Sequence, residues 1–430
     1  MVVEPAVSLR GDLAVPGDKS ISHRALLLGA VADGEGDFSG FGASEDTLAT
    51  AAAVRVLGAN VEVNGDRVRI GGVGLRGLRA PGEPIDCGNA GTLIRLLPGL
   101  LVGQEGRFEL VGDDSLSRRP LDRIAEPLAR MGARVETTDG HAPLVVEGGE
   151  LEPIRYDLPV ASAQVKSCVL LAGLYASGGP TIVGEPVATR DHTERLLDAA
   201  GARVRRKPRA PAVWPATRLV PLRLEIPGDF SAAAPFILAA TLLAGSKLRL
   251  HGVGINPTRT GFLAVLERMG ARISVFHRRG AGTGGEPVAD LEVEAAELVA
   301  TEIRPEEVPG LVDELPLFAL AAALARGESV VTGAQELRVK ESDRIETVKD
   351  ALRPLGIRIE TAHDGFRVRG VPSRPKGGGV VDAAGDHRIA MLGAVAGLVS
   401  REGVELKDAE SVAVSFPDFF AVLDSLALRS

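Results

Sequence analysis

Lys19, Ser20 and Arg24 stand together in the string PGDKSISHR, an ammonium, a hydroxyl and a guanidinium within about one helical turn. With Ser20 as the expected helix cap, the three could grip a single phosphate. Four more strings set similar groups at the head of an apolar run. Asn89-Ala-Gly91-Thr92, with Arg95 after it, offers a tight turn, a hydroxyl and a guanidinium suited to a carboxylate or phosphate. SLSRRPLDRI puts Pro120 at the expected first position of a helix, so Arg118 and Arg119 would face its positive end, a conflict that an anionic ligand would relieve. RVKESDRIE sets Lys340 and Arg344 four residues apart with Glu341 between them. Asp386-His387-Arg388 opens a run of Ile, Ala, Met, Leu and Val. Asp313-Glu314 opens another, with a carboxylate whose proton affinity burial or a nearby cation could tune. PGDKSISHR, the Asn89 string and RVKESDRIE, each taken alone, also read as capped or exposed helices with solvated charges, and His23 alone as a structural histidine. GDKS also lacks the spacing of a nucleotide-binding P-loop. The recurrence is what points to small-anion chemistry, because the head of an apolar helix presents free N–H groups and a positive dipole end.

The elements that must hold these groups repeat. A helix tail, a glycine and a β-rich run recur at Ala53, Glu126, Arg195, Ala264 and Ala351, and Gly58, Gly132, Gly201, Gly270 and Gly356 are expected to end their helices in the left-handed conformation. A polar cluster followed by an Ala/Leu-rich helix, apolar nearly all round, begins near Ser20, Gly91, Ser162, Ser231, Asp313 and Asp386. A helix apolar on every face must be buried, so six units of about 70 residues each put a helix inside and a sheet outside. The expected fold is α/β with the usual layering inverted. Val61 to Ile70 and Val145 to Leu151 alternate like strands of an exposed sheet. Six units split as three and three, with the seam expected around Leu224 to Asp229. The Pro/Arg-rich stretch Arg205 to Arg218 and the Gly-rich stretch Arg278 to Pro287 read as mobile surface loops without chemistry.

Composition narrows the ligand. At 430 residues the chain exceeds what one core organises, so two domains are expected. A net charge of −8 and 3% aromatic residues argue against nucleic acid, anionic membrane or a base-stacking surface, leaving a small anion held by local cations. No apolar run reaches the roughly 18 residues of a membrane helix, and MVVEPAVSLRGDL lacks the basic start and apolar run of a secretory signal, so a cytoplasmic protein is expected. Two cysteines, Cys87 and Cys168, can form neither a disulfide framework nor a four-ligand zinc site and read as small buried residues.

The strings PGDKSISHRALLL, GNAGT, RRPLDRI, SAQVKS, DELP, RVKESDRI and DHRIAM resemble, in order and spacing, the enolpyruvyl transferases, and within them the 5-enolpyruvylshikimate-3-phosphate synthases. The resemblance spans nearly the whole chain. It implies an inside-out α/β fold of six βαβαββ repeats in two domains that close over substrates at a hinge, residues 1–14 with 228–430 forming one and residues 15–227 the other. It implies transfer of the enolpyruvyl group of phosphoenolpyruvate to the 5-hydroxyl of shikimate 3-phosphate, in a monomer, without metal or cofactor. By the same resemblance Lys19, Ser20, Arg24, Ser162, Ala163, Gln164, Arg190, Asp313 and Lys340 would bind shikimate 3-phosphate. Lys19, Gly91, Thr92, Arg119, Gln164, Arg344 and Arg388 would surround phosphoenolpyruvate, and Asp313, Glu341 and Lys19 would share the proton transfers. Some members carry Ser where this chain has Ala163, and some carry Lys where it has Val414. The SAQVK and TRDH strings resemble a bacterial branch that manages without that lysine. Gly91, where a bulkier Ala accompanies glyphosate resistance in the family, implies inhibition by glyphosate. Two alternatives are the sister transferase acting on UDP-N-acetylglucosamine, which typically has Asn after the first lysine and a loop Cys, and a non-catalytic anion-binding relative. Ser20 and the cysteine-free DDSLSRRP count against the first, and the presence of Lys19, Asp313 and Glu341 against the second.

Overall fold

The computed structural model describes residues 1–281 and 285–429. The chain forms two compact units, an inserted one of Gly17–Pro227 with Gly280–Glu286 and a terminal one of Met1–Pro16, Gly228–Arg279 and Pro287–Ser430. Each unit has its own hydrophobic core, running from Ile21 to Ile226 in the inserted unit and joining Val3–Val15 to Phe230–Leu426 in the terminal unit.

The apolar runs are helices, and they are buried. Lys19–Ala30, Gly91–Leu96 continued by Pro98–Leu101, and Ala163–Ala172 lie in the inserted unit; Phe230–Leu242, Leu315–Leu324 and His387–Val399 lie in the terminal one. Every residue of His387–Val399 is buried, as its all-round apolar sequence requires. Sheets cover them. Among the described residues the inserted unit has three four-stranded sheets and the terminal unit sheets of five, four and three strands. The repeating topology is visible in Ile85–Asp86, which runs parallel to Arg107–Val111, while His141–Glu147 and Arg134–Thr138 follow as an antiparallel pair. Glu302–Ile303, Gly327–Val331, Gly365–Gly370 and Arg358–Ala362 repeat it in the terminal unit. The sixth repeat departs from this: Val380–Asp382 runs parallel to Val404–Lys407, which pairs on its other side with Val2–Val3, and the helix Phe419–Leu426 follows where the other repeats have a hairpin.

Two strands are exchanged. Ser8–Ala14, which leads into the first buried helix, runs parallel to Lys247–Gly254 of the terminal unit, and Arg223–Glu225, which leads into Phe230–Leu242, runs parallel to Glu35–Ser39 of the inserted unit. At 16–18 and again at 227–229, where the chain passes between units, it reads Pro-Gly-Asp. The Asp18 N–H donates to the Pro227 carbonyl and the Asp229 N–H to the Pro16 carbonyl, each at 2.8 Å. A Cβ at Gly17 would lie 1.7 Å from the Gly40 carbonyl oxygen, so only glycine fits there.

The five helix-ending glycines all have positive φ. Other expectations need correcting. Val61 to Ile70 is not one strand but a hairpin, Asn60–Asn64 and Arg67–Gly71, turning at Gly65, and the strand around Val145 is His141–Glu147, ending before Leu151. The stretch 205–218 is only partly loop: Arg205 ends one short strand, Val204–Arg205, and Ala212–Val213 forms another, its two side chains fully buried beside the core. Arg278 to Pro287 begins and ends within strands Arg272–Ala281 and Glu286–Glu294, and its residues 282–284 lie outside the described residues. No helix among the described residues is long and apolar enough to cross a membrane. Both cysteines are buried, and burial pushes their thiols up, Cys168 to about 12.

Candidate active site

In the inserted unit, two buried helices begin side by side. Gly91 and Thr92 open one, and Ser162 caps the other, its hydroxyl accepting from the Val165 N–H at 3.4 Å, so that Ala163 and Gln164 form its first turn. Gln164 joins them: its amide nitrogen donates to the Thr92 hydroxyl at 3.3 Å, and its carbonyl accepts from Arg95 at 3.2 Å. Arg119 is buried beside them, donating to the Asn89 side-chain carbonyl at 2.5 Å and the Ser115 hydroxyl at 3.2 Å. A Cβ on Gly91 would lie 2.9 Å from an Arg119 guanidinium nitrogen and 3.0 Å from one of Arg95, so the missing side chain is what admits both cations.

The route by which Arg119 arrives differs from the expected one. Pro120 is not at a helix start. Arg118 follows the turn Asp114–Ser117, and the next helix, Asp122–Arg130, has Leu121 before it. The two arginines thus sit after a C-terminus, where cations are favoured, and the supposed conflict with a helix dipole does not exist.

The cap of the first helix is also different. Asp18, not Ser20, caps Lys19–Ala30, accepting from the Ile21 N–H at 2.9 Å, because its carboxylate reaches the third helical amide while Ser20 is already inside the first turn. Asp229 and Asp386 likewise cap Phe230–Leu242 and His387–Val399, so three of the six helix heads are closed by their own carboxylates. Lys19 pairs with Asp46 at 2.9 Å. Arg24 is buried and turned along the helix, donating to the Ser20 carbonyl at 3.0 Å, the Thr193 hydroxyl at 2.7 Å and the Ser167 hydroxyl at 2.9 Å. Burial, then the nearby charge of Arg190, lowers the Arg24 guanidinium to about 10, leaving it charged at neutral pH. His23 faces Thr50 at 2.7 Å, and burial, then Lys19 and Arg24, hold its imidazole well below the ordinary 6.5, which suits a neutral structural residue.

In the terminal unit the charged residues form one buried network. Arg344, 1% exposed, meets Asp386 at 2.8 Å, Glu341 at 2.7 Å and Asp313 at 3.4 Å. Burial alone would lower its pKa; Asp386, Glu341 and Asp313 together hold it above the ordinary value. RVKESDRIE is therefore no solvated helix face: Gln335–Val339 is a short 3-10 turn, half-buried Lys340 and Glu341 follow it, and Asp343 caps the helix Arg344–Leu352. Arg388 donates to the Ser231 carbonyl at 3.4 Å and lies 3.9 Å from Glu314.

Each unit thus gathers its own share of the expected residues, Lys19 to Arg190 in the inserted unit and Asp313 to Arg388 in the terminal one. Two further buried cations are not among the expected site residues. Arg259, 3% exposed, bridges Asp229, Asp313 and Glu314 at 3.3 to 3.5 Å, and Lys166, 1% exposed, lies among Glu185, Glu194 and Thr189. Lys166 lies within the string SAQVKS, two residues after Gln164, which was its only signal. Val414 ends the 3-10 turn Ala409–Val414, just before Phe416, whose ring packs on Phe236 and Phe419.

The family model described as EPSP synthase (3-phosphoshikimate 1-carboxyvinyltransferase) matches residues 3–423. A 3-phosphoshikimate 1-carboxyvinyltransferase of Acidithiobacillus ferrooxidans is 50% identical over 428 residues, 99% of this chain and 98% of that one. One from Methylococcus capsulatus is 49% identical, covering 99% and 96%. Among solved structures, an EPSP synthase from Acinetobacter baumannii superposes with a TM-score of 0.87 at 42% identity, covering 100% of this chain and 98% of that one. The enolpyruvyl transferase NikO from Streptomyces tendae shares the fold, with a TM-score of 0.80 at 21% identity, covering 99% and 96%.

Proposed function

The chain belongs to the EPSP synthase family, the 3-phosphoshikimate 1-carboxyvinyltransferases, and from this we propose how its two sets of polar groups divide one reaction. It is a transferase of the shikimate pathway of aromatic amino acid biosynthesis, moving the enolpyruvyl group of phosphoenolpyruvate to the 5-hydroxyl of shikimate 3-phosphate with release of phosphate. The hydroxyl oxygen attacks C2 of phosphoenolpyruvate while C3 gains a proton. C3 then loses a proton as the C2–O bond to phosphate breaks. Both steps are acid–base chemistry, needing no metal and no cofactor.

The meeting of Asp313 and Glu341 on the single guanidinium of Arg344 carries the reading, because it puts two carboxylates in unlike surroundings at one place. Asp313 takes the proton of the 5-hydroxyl, and Glu341 and Lys19 serve the proton transfers at C3. Lys19, Ser20, Arg24, Ser162, Ala163, Gln164 and Arg190 of the inserted unit, with Asp313 and Lys340 of the terminal one, hold shikimate 3-phosphate. Lys19, Gly91, Thr92, Arg119 and Gln164, with Arg344 and Arg388, hold phosphoenolpyruvate. Arg344, enclosed by carboxylates, would exchange one of them for the substrate's own anionic group. The same reading takes residues 15–227 and residues 1–14 with 228–430 as the two domains of a cytoplasmic monomer.

The test is to incubate the purified protein with phosphoenolpyruvate plus shikimate 3-phosphate, and separately plus UDP-N-acetylglucosamine, following phosphate release and product mass. Release with shikimate 3-phosphate alone and formation of an enolpyruvyl ether is the expected result. Release with the sugar nucleotide alone would overturn it.

A further inference from the structure

A lysine with almost no exposed surface sits behind Arg190. The Lys166 ammonium lies 2.8 Å from Glu194 and 3.3 Å from Glu185, and it donates to the Thr189 carbonyl at 3.2 Å. Glu185 reaches back to the same residue, accepting from the Thr189 N–H at 3.2 Å and from the Thr189 hydroxyl. Thr189 is therefore held at its carbonyl, its amide and its side chain, and Arg190 follows it directly. Lys166 lies on the helix Ala163–Ala172 and Glu194 on the helix His192–Ala199, and their neighbours on these two helices, Ser167 and Thr193, hydrogen-bond to each other at 2.7 Å and both accept from Arg24. Burying an ammonium and two carboxylates carries a desolvation cost, and one buried oxygen of Glu194 has no hydrogen-bond partner among the described residues, so a simpler apolar contact could join these helices more easily. What the charged cluster adds is direction: it fixes the peptide from which Arg190 projects.

We propose that Lys166 is a positioning residue for shikimate 3-phosphate, acting through the Thr189 carbonyl on Arg190. The proposal rests on the reading that Arg190 contacts that substrate. Lys166 itself touches no reacting atom, so its loss should weaken one substrate and leave the chemistry. In the full chain, Lys166→Met is expected to raise KM for shikimate 3-phosphate, and its equilibrium dissociation constant, about tenfold or more, with KM for phosphoenolpyruvate and kcat nearly unchanged. A general loss of structure would instead move all three.

The deciding experiment is a double-mutant cycle of Lys166→Met with Arg190→Gln. If both single changes raise KM for shikimate 3-phosphate and the double variant is no worse than Arg190→Gln alone, Lys166 acts through Arg190. If the effects multiply, or Lys166→Met has none while Arg190→Gln does, the proposal falls and the reading of Arg190 stands. If Arg190→Gln leaves that KM unchanged, both fall. Should Lys166→Met not fold, Glu185→Gln replaces it in the cycle, since it keeps the Lys166–Glu194 pair while weakening the grip on Thr189; the same outcomes decide.

Discussion

Glu314, which exposes no surface, lies 3.3 Å from a guanidinium nitrogen of Arg259 that is also 3.5 Å from Asp313. One cation thus serves a structural carboxylate and a catalytic candidate at once. Arg259→Met removes it and leaves Glu314 with the Ser231 hydroxyl and the more distant Arg388. Stranding a buried charge in this way is expected to cost about 3 kcal/mol, read as an earlier urea or thermal transition, and Arg259→Met/Glu314→Gln should recover part of it. A single variant as stable as the wild type would mean that Arg388 and Ser231 suffice for Glu314.

Asp313→Ala should bind both substrates and lose turnover by about 100-fold or more, the range of a general base. Isothermal titration with each substrate separates binding from rate. Turnover like that of the wild type would remove Asp313 from the proton transfers.

Gly91→Ala places a methyl group 2.9 Å from Arg119 and 3.0 Å from Arg95, so at least one guanidinium must shift. Steady-state kinetics should show a several-fold higher KM for phosphoenolpyruvate and little change in that for shikimate 3-phosphate. The unaltered enzyme should be inhibited by glyphosate at concentrations up to about millimolar, the scale of an ordinary weak ligand, and the variant less so. Indifference of the unaltered enzyme would disprove the inhibitor prediction.

His23 ties stability to acid. Its folded imidazole refuses a proton that the unfolded chain accepts near pH 6.5, so the contribution is complete above that pH and declines as pH falls below it. The slope is at most about 1.4 kcal/mol per pH unit. Between about pH 7.5 and pH 5.5, His23→Gln should lose less thermal stability than the wild type. Equal losses would assign the acid sensitivity to other groups.

The buried helices, and the glycines that end the helices interleaved with them, were readable in the sequence because each rests on a local constraint: an all-apolar helix has only one place to go, and a left-handed residue is most easily a glycine. Where two residue types could do the same local job, reading by type chose wrongly. Asp18 and Ser20 are both good caps, and Pro120 suits a helix start as well as the loop in which it stands. Arg259 and Lys166 were out of reach for a different reason. Arg259 meets Ser231 28 residues before it and Glu314 55 residues after it, separations no motif spacing records. Their roles exist only once the helices have been brought together.

The exchanged strands set an order in which the molecule can be made. Residues 17–227 contain every strand of the inserted unit's three sheets, so that part can fold while the second half is still on the ribosome. Residues 2–14, synthesised first, must wait: Ser8–Ala14 for Lys247–Gly254, Val2–Val3 for Val404–Glu405, and Ser8–Leu9 again for Ala427–Leu428. Until then Val3, Leu9 and Leu13, buried in the finished unit, and their unpaired strand edges stay open, a place where a holdase chaperone can bind and where a stalled chain would aggregate.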